Sequence, residues 1–170
     1  MDVPENSMLP EALPTGRMQG RQVFSQLVLK AIRAAVDRAW TPLILSDADF
    51  HDWPLGERDV VQALSDWAAS GRQIRFLARD YRAMRERHPR LVQWRTQWSH
   101  LVEAHAWPSA GAGEVPSVLW APGWCVERVD PERGVLVASD DPVRLLSLKE
   151  RIDQAWQRGR PGFAATVLGL

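Results

Sequence analysis

The feature of this chain that most constrains its fold is an alternation of segments with helical and strand periodicity. Over residues 21–40 the apolar side chains recur at the spacing of an amphipathic helix, and the short β-rich run LILS (43–46) follows. A helical segment at 58–70, a strand-like run at 73–78 and a helical segment at 81–100 continue the pattern. Strand–helix–strand units of this kind build parallel sheets with helices on their faces.

The second half of the chain adds strands that tight turns connect. Further strand-like runs occupy 101–107, 115–121, 124–129 and 134–139, and a last amphipathic helix is expected over 142–157. Pro89 is expected to split or kink the third helical segment, because proline removes a helical hydrogen bond. The sequence therefore predicts an α/β fold with a mixed, mostly parallel sheet flanked by helices.

Length and composition predict one domain and exclude several classes of protein. At 170 residues the chain suits a single core, expected at 21–158, between a proline-rich disordered lead (1–20) and a short tail (159–170). Its one cysteine, Cys125, excludes an internal disulfide and a thiolate metal cluster, and no apolar run is long enough for a membrane helix. We therefore expect a cytoplasmic protein with no membrane association. The formal net charge is zero, so nucleic acid is expected to be an unlikely partner.

An acidic turn follows the first predicted strand. Asp47, Asp49, His51 and Asp52 come directly after LILS. Ligands in open α/β sheets bind beyond the carboxyl ends of the strands, so these side chains are candidate binding residues. LILSDAD resembles the opening of phosphatases of the haloacid-dehalogenase type.

The later run LVASDDP, with Asp140 and Asp141, resembles a second acidic motif of the same enzymes. This resemblance implies a metal-assisted phosphoester hydrolase with a carboxylate nucleophile at Asp47 or Asp49. However, no lysine lies between Lys30 and Lys149 to hold the phosphoryl charge.

A structural role for the acidic turn is the favoured interpretation. The threonine expected after the DxD motif is replaced by His51-Asp52. A calcium loop would need glycine where Asp52 stands. We therefore expect these residues to bond to the backbone and to keep the strand exit polar. No metal site and no cofactor are predicted, and His105 remains an isolated candidate for ligand binding.

A basic segment gives a second alternative. Arg79 and the arginines that follow it up to Arg90 alternate with apolar residues at helical spacing. Such a run is usually a solvated helix face, but it also suits the binding of an anion or a nucleic acid.

The C-terminal third resembles the phospholipase D superfamily, whose motif is HxKxxxxD followed by a short GSxN-like stretch. In ERVDPERGVLVASDDP, Asp130 falls at the motif aspartate and Ser139 within the GSxN-like stretch. Gly123 and Cys125 then stand where the family has its nucleophilic histidine and its phosphate-binding lysine. The resemblance spans about residues 21–157 and implies a phospholipase D-like half-domain.

This resemblance implies a domain that cannot perform the family reaction, since glycine has no side chain to attack phosphorus and a neutral thiol supplies no charge. We therefore expect a catalytically silent binding or assembly module, with no assigned catalytic residue and an unidentified ligand. Family members with one half per chain usually pair, which implies a homodimer. The tryptophans expected to be buried in its interface are Trp107, Trp120 and Trp124.

Overall fold

The computed structural model describes residues 12–70 and 72–165, which form eight strands and five α-helices. The strands are β1 (Gly16–Gln19), β2 (Leu43–Ser46), β3 (Ile74–Ala78), β4 (Val102–Ala106), β5 (Val118–Ala121), β6 (Trp124–Asp130), β7 (Val135–Ser139) and β8 (Arg160–Pro161). The helices are α1 (Arg21–Asp37), α2 (Arg58–Ala68), α3 (Arg82–Arg87), α4 (Pro89–Gln97) and α5 (Pro142–Arg158).

All eight strands form one mixed sheet in the order β1-β7-β6-β5-β2-β3-β4-β8. The predicted α/β class is confirmed, but the expectation of a mostly parallel sheet is wrong. Within the described residues only β2–β3 and β3–β4 pair in parallel, and the other five pairings are antiparallel. The difference arises because the β5–β6–β7 meander and both edge strands add antiparallel neighbours. The finer assignment to a phospholipase D-like half-domain stays a prediction.

Both edge strands lie where the sequence predicted no regular structure. The expected disordered lead contains β1, which pairs with β7 from Gly16↔Ala138 to Gln19↔Val135. Residues 1–11 of that lead lie outside the described part. At the other edge, β8 in the expected tail pairs with β4 at His105 and Ala106. Neither strand has an apolar alternation of its own, so each depends on the ladder that its neighbour offers.

Alternating side chains of the strands build two cores, one on each face of the sheet. Leu43 and Leu45 of β2 pack in the core under α1, α2, α3 and α4, whereas Ile44 packs in the core under α5. The period of two in strands makes this division, because successive side chains point to opposite faces. The sheet is therefore a middle layer, with α5 alone on one face.

Local signals fix the helix ends. The carboxylate of Asp141 accepts a hydrogen bond from the Val143 amide at 3.0 Å, and Pro142 occupies the first turn, so α5 begins as predicted. Pro89 ends one helix and begins the next, which confirms the predicted break between α3 and α4. Among the described helices, none is long and apolar enough to cross a membrane.

Two of the three tryptophans expected in a dimer interface are buried within the chain itself. Trp120 donates its indole N–H to the Leu145 carbonyl at 2.9 Å, and Trp124 donates to the Pro14 carbonyl at 3.0 Å. Both are core side chains, so the expectation that they face a partner is wrong. Trp107 is half-buried beside the core under α5. The homodimer itself stays an untested expectation.

Candidate functional site

The carboxyl ends of β2, β3 and β6 lie at the same end of the sheet and line one cleft. β2 and β3 are parallel, and β6 runs in the same direction because β5 is antiparallel to both β2 and β6. A cleft of about 700 Å³ opens over these ends, and we call it the strand-end cleft. Its charged lining consists of Asp47, Asp49, His51, Arg79, Glu127, Arg128, Asp130, Glu132 and Arg151.

Arg128 organises the acidic turn from the facing strand. Its Nη2 donates to Oδ1 of Asp47 at 2.9 Å, and its Nη1 donates to Oδ2 of Asp52 at 2.6 Å. Nε completes the set with a 2.9 Å bond to the Ser117 hydroxyl. The guanidinium also lies 4.6 Å from the ring centroid of Phe24, within cation–π range. One buried arginine thus joins the acidic turn to β6.

The electrostatics of this group favour the ionised carboxylates. Burial by itself would raise the pKa of Asp52, but the hydrogen bond and positive charge of Arg128 outweigh it and hold that pKa below its ordinary value. In the same way, burial would lower the pKa of Arg128, yet Asp52 and Asp47 raise it. The Asp52 carboxylate and the Arg128 guanidinium therefore stabilise each other in their charged forms.

Asp47 has no free oxygen for a metal or a substrate. Besides Arg128 on Oδ1, its Oδ2 accepts the backbone amides of Asp49 at 3.2 Å and Phe50 at 2.8 Å. These bonds fix the tight turn in which Phe50 has a positive φ of 61°. Asp47 therefore acts as a turn anchor, in agreement with the structural role that the sequence favoured.

Asp49 and His51 form an outer pair at the mouth of the strand-end cleft. Oδ1 of Asp49 lies 2.6 Å from Nδ1 of His51 and also accepts the His51 amide at 3.0 Å. The His51 side chain is half exposed. This pair is a local carboxylate–imidazole contact, and within the described residues no cluster of three or more His, Cys, Asp or Glu side chains could hold a metal ion.

Glu127 forms a second ionic group on the opposite face of β6. Its carboxylate accepts Nη2 of Arg144 at 3.1 Å and Nη1 of Arg151 at 2.8 Å, both from α5. Successive residues of β6 point to opposite faces, so Glu127 faces α5 while Arg128 faces α1. The C-terminal half of β6 therefore carries one ionic group on each face of the sheet, around Arg128 on one face and around Glu127 on the other.

The second acidic motif does not join the first. Ser139 at the end of β7 pairs with Cys125 at the start of β6, so Asp140 and Asp141 follow at the edge of the sheet opposite to the strand-end cleft. Asp141 is used there as the N-cap of α5. The convergence of acidic pairs that a phosphoester hydrolase would need is absent from the described residues.

The degenerate motif positions are also separated. Asp130 lines the strand-end cleft, whereas Gly123 lies at the other end of β6, packed beneath the Trp40 ring. Cys125 is fully buried, and burial raises the pKa of its thiol to about 11. Cys125 and Ser139 are paired neighbours on β6 and β7. Only Asp130 of these four lines this cleft.

His105 is part of the packing of α5. Its ring stacks on Trp156 with centroids 3.7 Å apart, and Nδ1 lies 2.9 Å from the Trp156 carbonyl oxygen. The fold therefore does not bring this imidazole to the strand-end cleft, where a nucleophile would have been needed.

The arginines of the basic segment divide into two groups. Arg85 donates to the Ala164 carbonyl and Arg90 donates to the Gly56 carbonyl, so both hold the chain's own backbone. The side chains of Arg79, Arg82 and Arg87 have no hydrogen-bonding or ionic partner among residues 12–70 and 72–165. Arg82 and Arg87 are exposed, and Arg79 is half-buried at the strand-end cleft.

Sequence reasoning missed the residues that organise the site, above all Glu127 and Arg128. A usable signal was present, because these two charges interrupt an otherwise apolar strand, and buried charges in proteins are normally paired. Arg151 was missed because its helix carried no motif.

Comparison with known proteins gives a fold neighbour and no family. No protein-family model and no curated protein sequence matches the chain. Among solved structures the chain is similar to TrmBL2, described as an archaeal chromatin protein with a novel mode of DNA binding. The TM-score is 0.60 at 13% sequence identity, which establishes a shared fold. The match covers 94% of this chain but only 56% of TrmBL2, so the chain spans little more than half of that protein.

This similarity corrects two expectations from the sequence. A silent phospholipase D-like assembly module is not the function that the comparison supports, because the neighbour with this fold is a DNA-binding protein. The expectation that nucleic acid is an unlikely partner is wrong for the same reason. Net charge does not show which charges face outwards, since many of them are paired inside the fold.

Proposed function

We propose that this domain binds nucleic acid through the free arginines of the segment 79–90. The observation that carries the proposal is the set Arg79, Arg82 and Arg87, three guanidiniums with no partner in the described part of a fold shared with a DNA-binding chromatin protein. Arginine binds phosphate oxygens through two parallel N–H donors, which suits a nucleic-acid backbone.

The charge around these arginines predicts weak, salt-dependent binding. Asp80 and Glu86 lie within the same segment, and Asp80 bonds to the Arg82 amide at 3.1 Å. Three phosphate contacts give a log–log salt slope of about 2.7, so affinity should fall roughly fortyfold between 50 and 200 mM salt. Dissociation constants in the micromolar range or weaker are expected for such non-specific contacts, on the order of 10⁻⁴ to 10⁻⁶ M.

The test is fluorescence anisotropy with labelled DNA across a salt series. The triple variant Arg79→Ala, Arg82→Ala, Arg87→Ala should weaken binding strongly and lower the log–log salt slope by about 2.7. Binding by the triple variant equal to that of the wild type would refute the proposed surface.

A charge-matched control separates local contacts from net charge. Arg17, Arg33 and Arg58 are exposed and have no partner in the described residues, and they lie on β1, α1 and α2. Replacing all three with alanine removes the same total charge from other surfaces. The control should retain most of the affinity, whereas an equal loss in both triple variants would mean that only overall charge matters.

A further inference from the structure

Helix α5 carries a stripe of hydrogen-bond donors that the proposed function has not used. Its members recur every three or four residues and therefore share one side of the helix. They are Arg144, Ser147, Arg151, Gln154 and Arg158. Of the carboxylates of α5, Asp153 lies off this stripe and is held by Lys149 at 2.8 Å, whereas the exposed Glu150 borders it, three residues after Ser147 and four before Gln154.

The stripe keeps positive charge despite the carboxylate that it contacts. Glu127 accepts hydrogen bonds from two of its arginines, Arg144 and Arg151, so one of those two charges remains uncompensated. Arg158 is exposed and has no partner among the described residues. Arg158 and one of the two arginines at Glu127 therefore carry positive charge that Glu127 does not compensate, although Glu150 borders the same side of the helix.

A tryptophan lies beside the same stripe. Trp107 follows β4 and lines a cavity of about 270 Å³ together with Arg151, Gln154 and Arg158. We call it the α5 cavity. Its backbone is fixed, because the Trp107 amide donates to the Ala78 carbonyl at 2.8 Å. A half-buried indole beside cationic side chains is the arrangement with which proteins hold an unpaired base.

The α5 cavity is continuous with the strand-end cleft. Both are lined by Gly113, Pro116 and Arg151. A path therefore leads from Trp107 past Arg151 into the strand-end cleft, whose lining holds the free guanidinium of Arg79 and also the carboxylates of Asp47, Asp49, Glu127, Asp130 and Glu132.

We infer that this path takes single-stranded nucleic acid, with a base stacked on Trp107 and phosphates on Arg151 and Arg158. Stacking requires an exposed base face, which a base within a duplex does not offer. Gln154 can donate to and accept from the edge of the same base. This inference rests on the proposed function for its ligand class and adds the strand state and the second contact surface.

The lining of the α5 cavity includes one carboxylate that opposes this ligand, and its removal tests the sign of the charge effect. Glu114 lines the α5 cavity, and one of its carboxylate oxygens lies close to the Gly111 backbone. Glu114→Gln removes a negative charge from the phosphate path at nearly constant size. It should tighten single-strand binding about two- to fivefold, the effect expected of one exposed charge pair.

The experiment compares a labelled 20-mer of thymidylate with a 20-base-pair duplex by fluorescence anisotropy at low salt. The single strand should bind about tenfold tighter than the duplex or more, because one stacked base contributes roughly this much. Trp107→Leu should weaken single-strand binding about five- to a hundredfold, and Trp107→Phe should restore part of that loss. Arg158→Ala, at an exposed position, should weaken single-strand binding without affecting folding. Arg33→Ala on α1 should leave single-strand binding unchanged.

The outcomes separate the two proposals. If DNA binds and depends only on the arginines of the 79–90 segment, this inference is wrong and the proposed function stands. Equal affinity for duplex and single strand, or Glu114→Gln weakening the binding, would also overturn the inference. If the α5 variants lose binding while the triple variant of the 79–90 segment does not, the inference stands and the proposed surface is wrong. Absence of any DNA binding would refute both.

Discussion

Arg128→Met removes the positive charge that the buried Asp47 and the half-buried Asp52 share, and we expect it to destabilise the fold strongly. Removing one partner of a buried ion pair costs about 3–5 kcal/mol, because the other partner is left buried and uncompensated. The Asp47 side chain is only 5% exposed, although it keeps two backbone amide bonds. The lower half of that range, about 3–4 kcal/mol, is therefore expected, which corresponds to a fall in Tm of about 6–16 °C.

Urea denaturation at pH 7 and pH 5, followed by tryptophan fluorescence, measures this loss. Without the guanidinium, burial is left to raise the pKa of Asp52, so that carboxyl takes up a proton more readily in the folded variant. The folded variant then binds more protons than its unfolded chain, and its deficit should shrink as the pH falls from 7 to 5. The wild type, in which the pKa of Asp52 is held down, should show no such recovery.

Two comparison variants test whether the loss of stability comes from the uncompensated carboxylates. Arg133→Met changes an exposed arginine on the neighbouring turn and should cost less than about 1 kcal/mol. Adding Asp47→Asn and Asp52→Asn to Arg128→Met removes the uncompensated charges and should restore a large part of the stability. A loss below about 1 kcal/mol for Arg128→Met, or the same loss at both pH values, would show that the carboxylates are not buried as described.

Two further predictions concern the packing of the chain. Phe163 stacks on Tyr81 at 4.9 Å and lies beneath the Arg85 guanidinium at 5.0 Å. We therefore expect Phe163→Ala to cost about 3 kcal/mol and to remove hydrogen-exchange protection from the Gly162 amide, which donates to the Ala104 carbonyl at 3.0 Å directly after β8. Intact protection of this amide would contradict the anchoring role of Phe163. Cys125 is fully buried, and burial raises the pKa of its thiol to about 11. The thiol should therefore not react with an aromatic disulfide reagent at pH 8 until the protein is unfolded in urea. Rapid labelling of the native protein would contradict this expectation.

The sequence predicted those elements whose own periodicity matches their environment. β2, with the range Leu43–Ser46, was predicted exactly as it stands, and the break at Pro89 was predicted from the chemistry of proline. The edge strands β1 and β8 were not predictable, because GRMQ and the dipeptide Arg160-Pro161 have no strand pattern and become strands only beside β7 and β4. The sheet direction was also missed, since pairing order is a long-range property.

The candidate site was half predictable. The acidic turn stood out because polar residues follow an apolar run, and its structural role followed from the bonding habits of aspartate. Its partner did not stand out, since Arg128 lies 81 residues from Asp47 and 76 from Asp52 along the chain. The free arginines of the segment 79–90 were recognised as a group, but only the fold separates Arg79 from those that bind the chain's own carbonyls.

The back-to-back placement of Glu127 and Arg128 has a consequence for how β6 finds its register. If β6 slipped by one residue, the carboxylate would turn towards Asp47 and Asp52, and the guanidinium would turn towards Arg144 and Arg151. Like charges would then meet on both sides of the sheet at once. Glu127 and Arg128 thus disfavour a one-residue shift of β6 against its neighbouring strands while the chain folds.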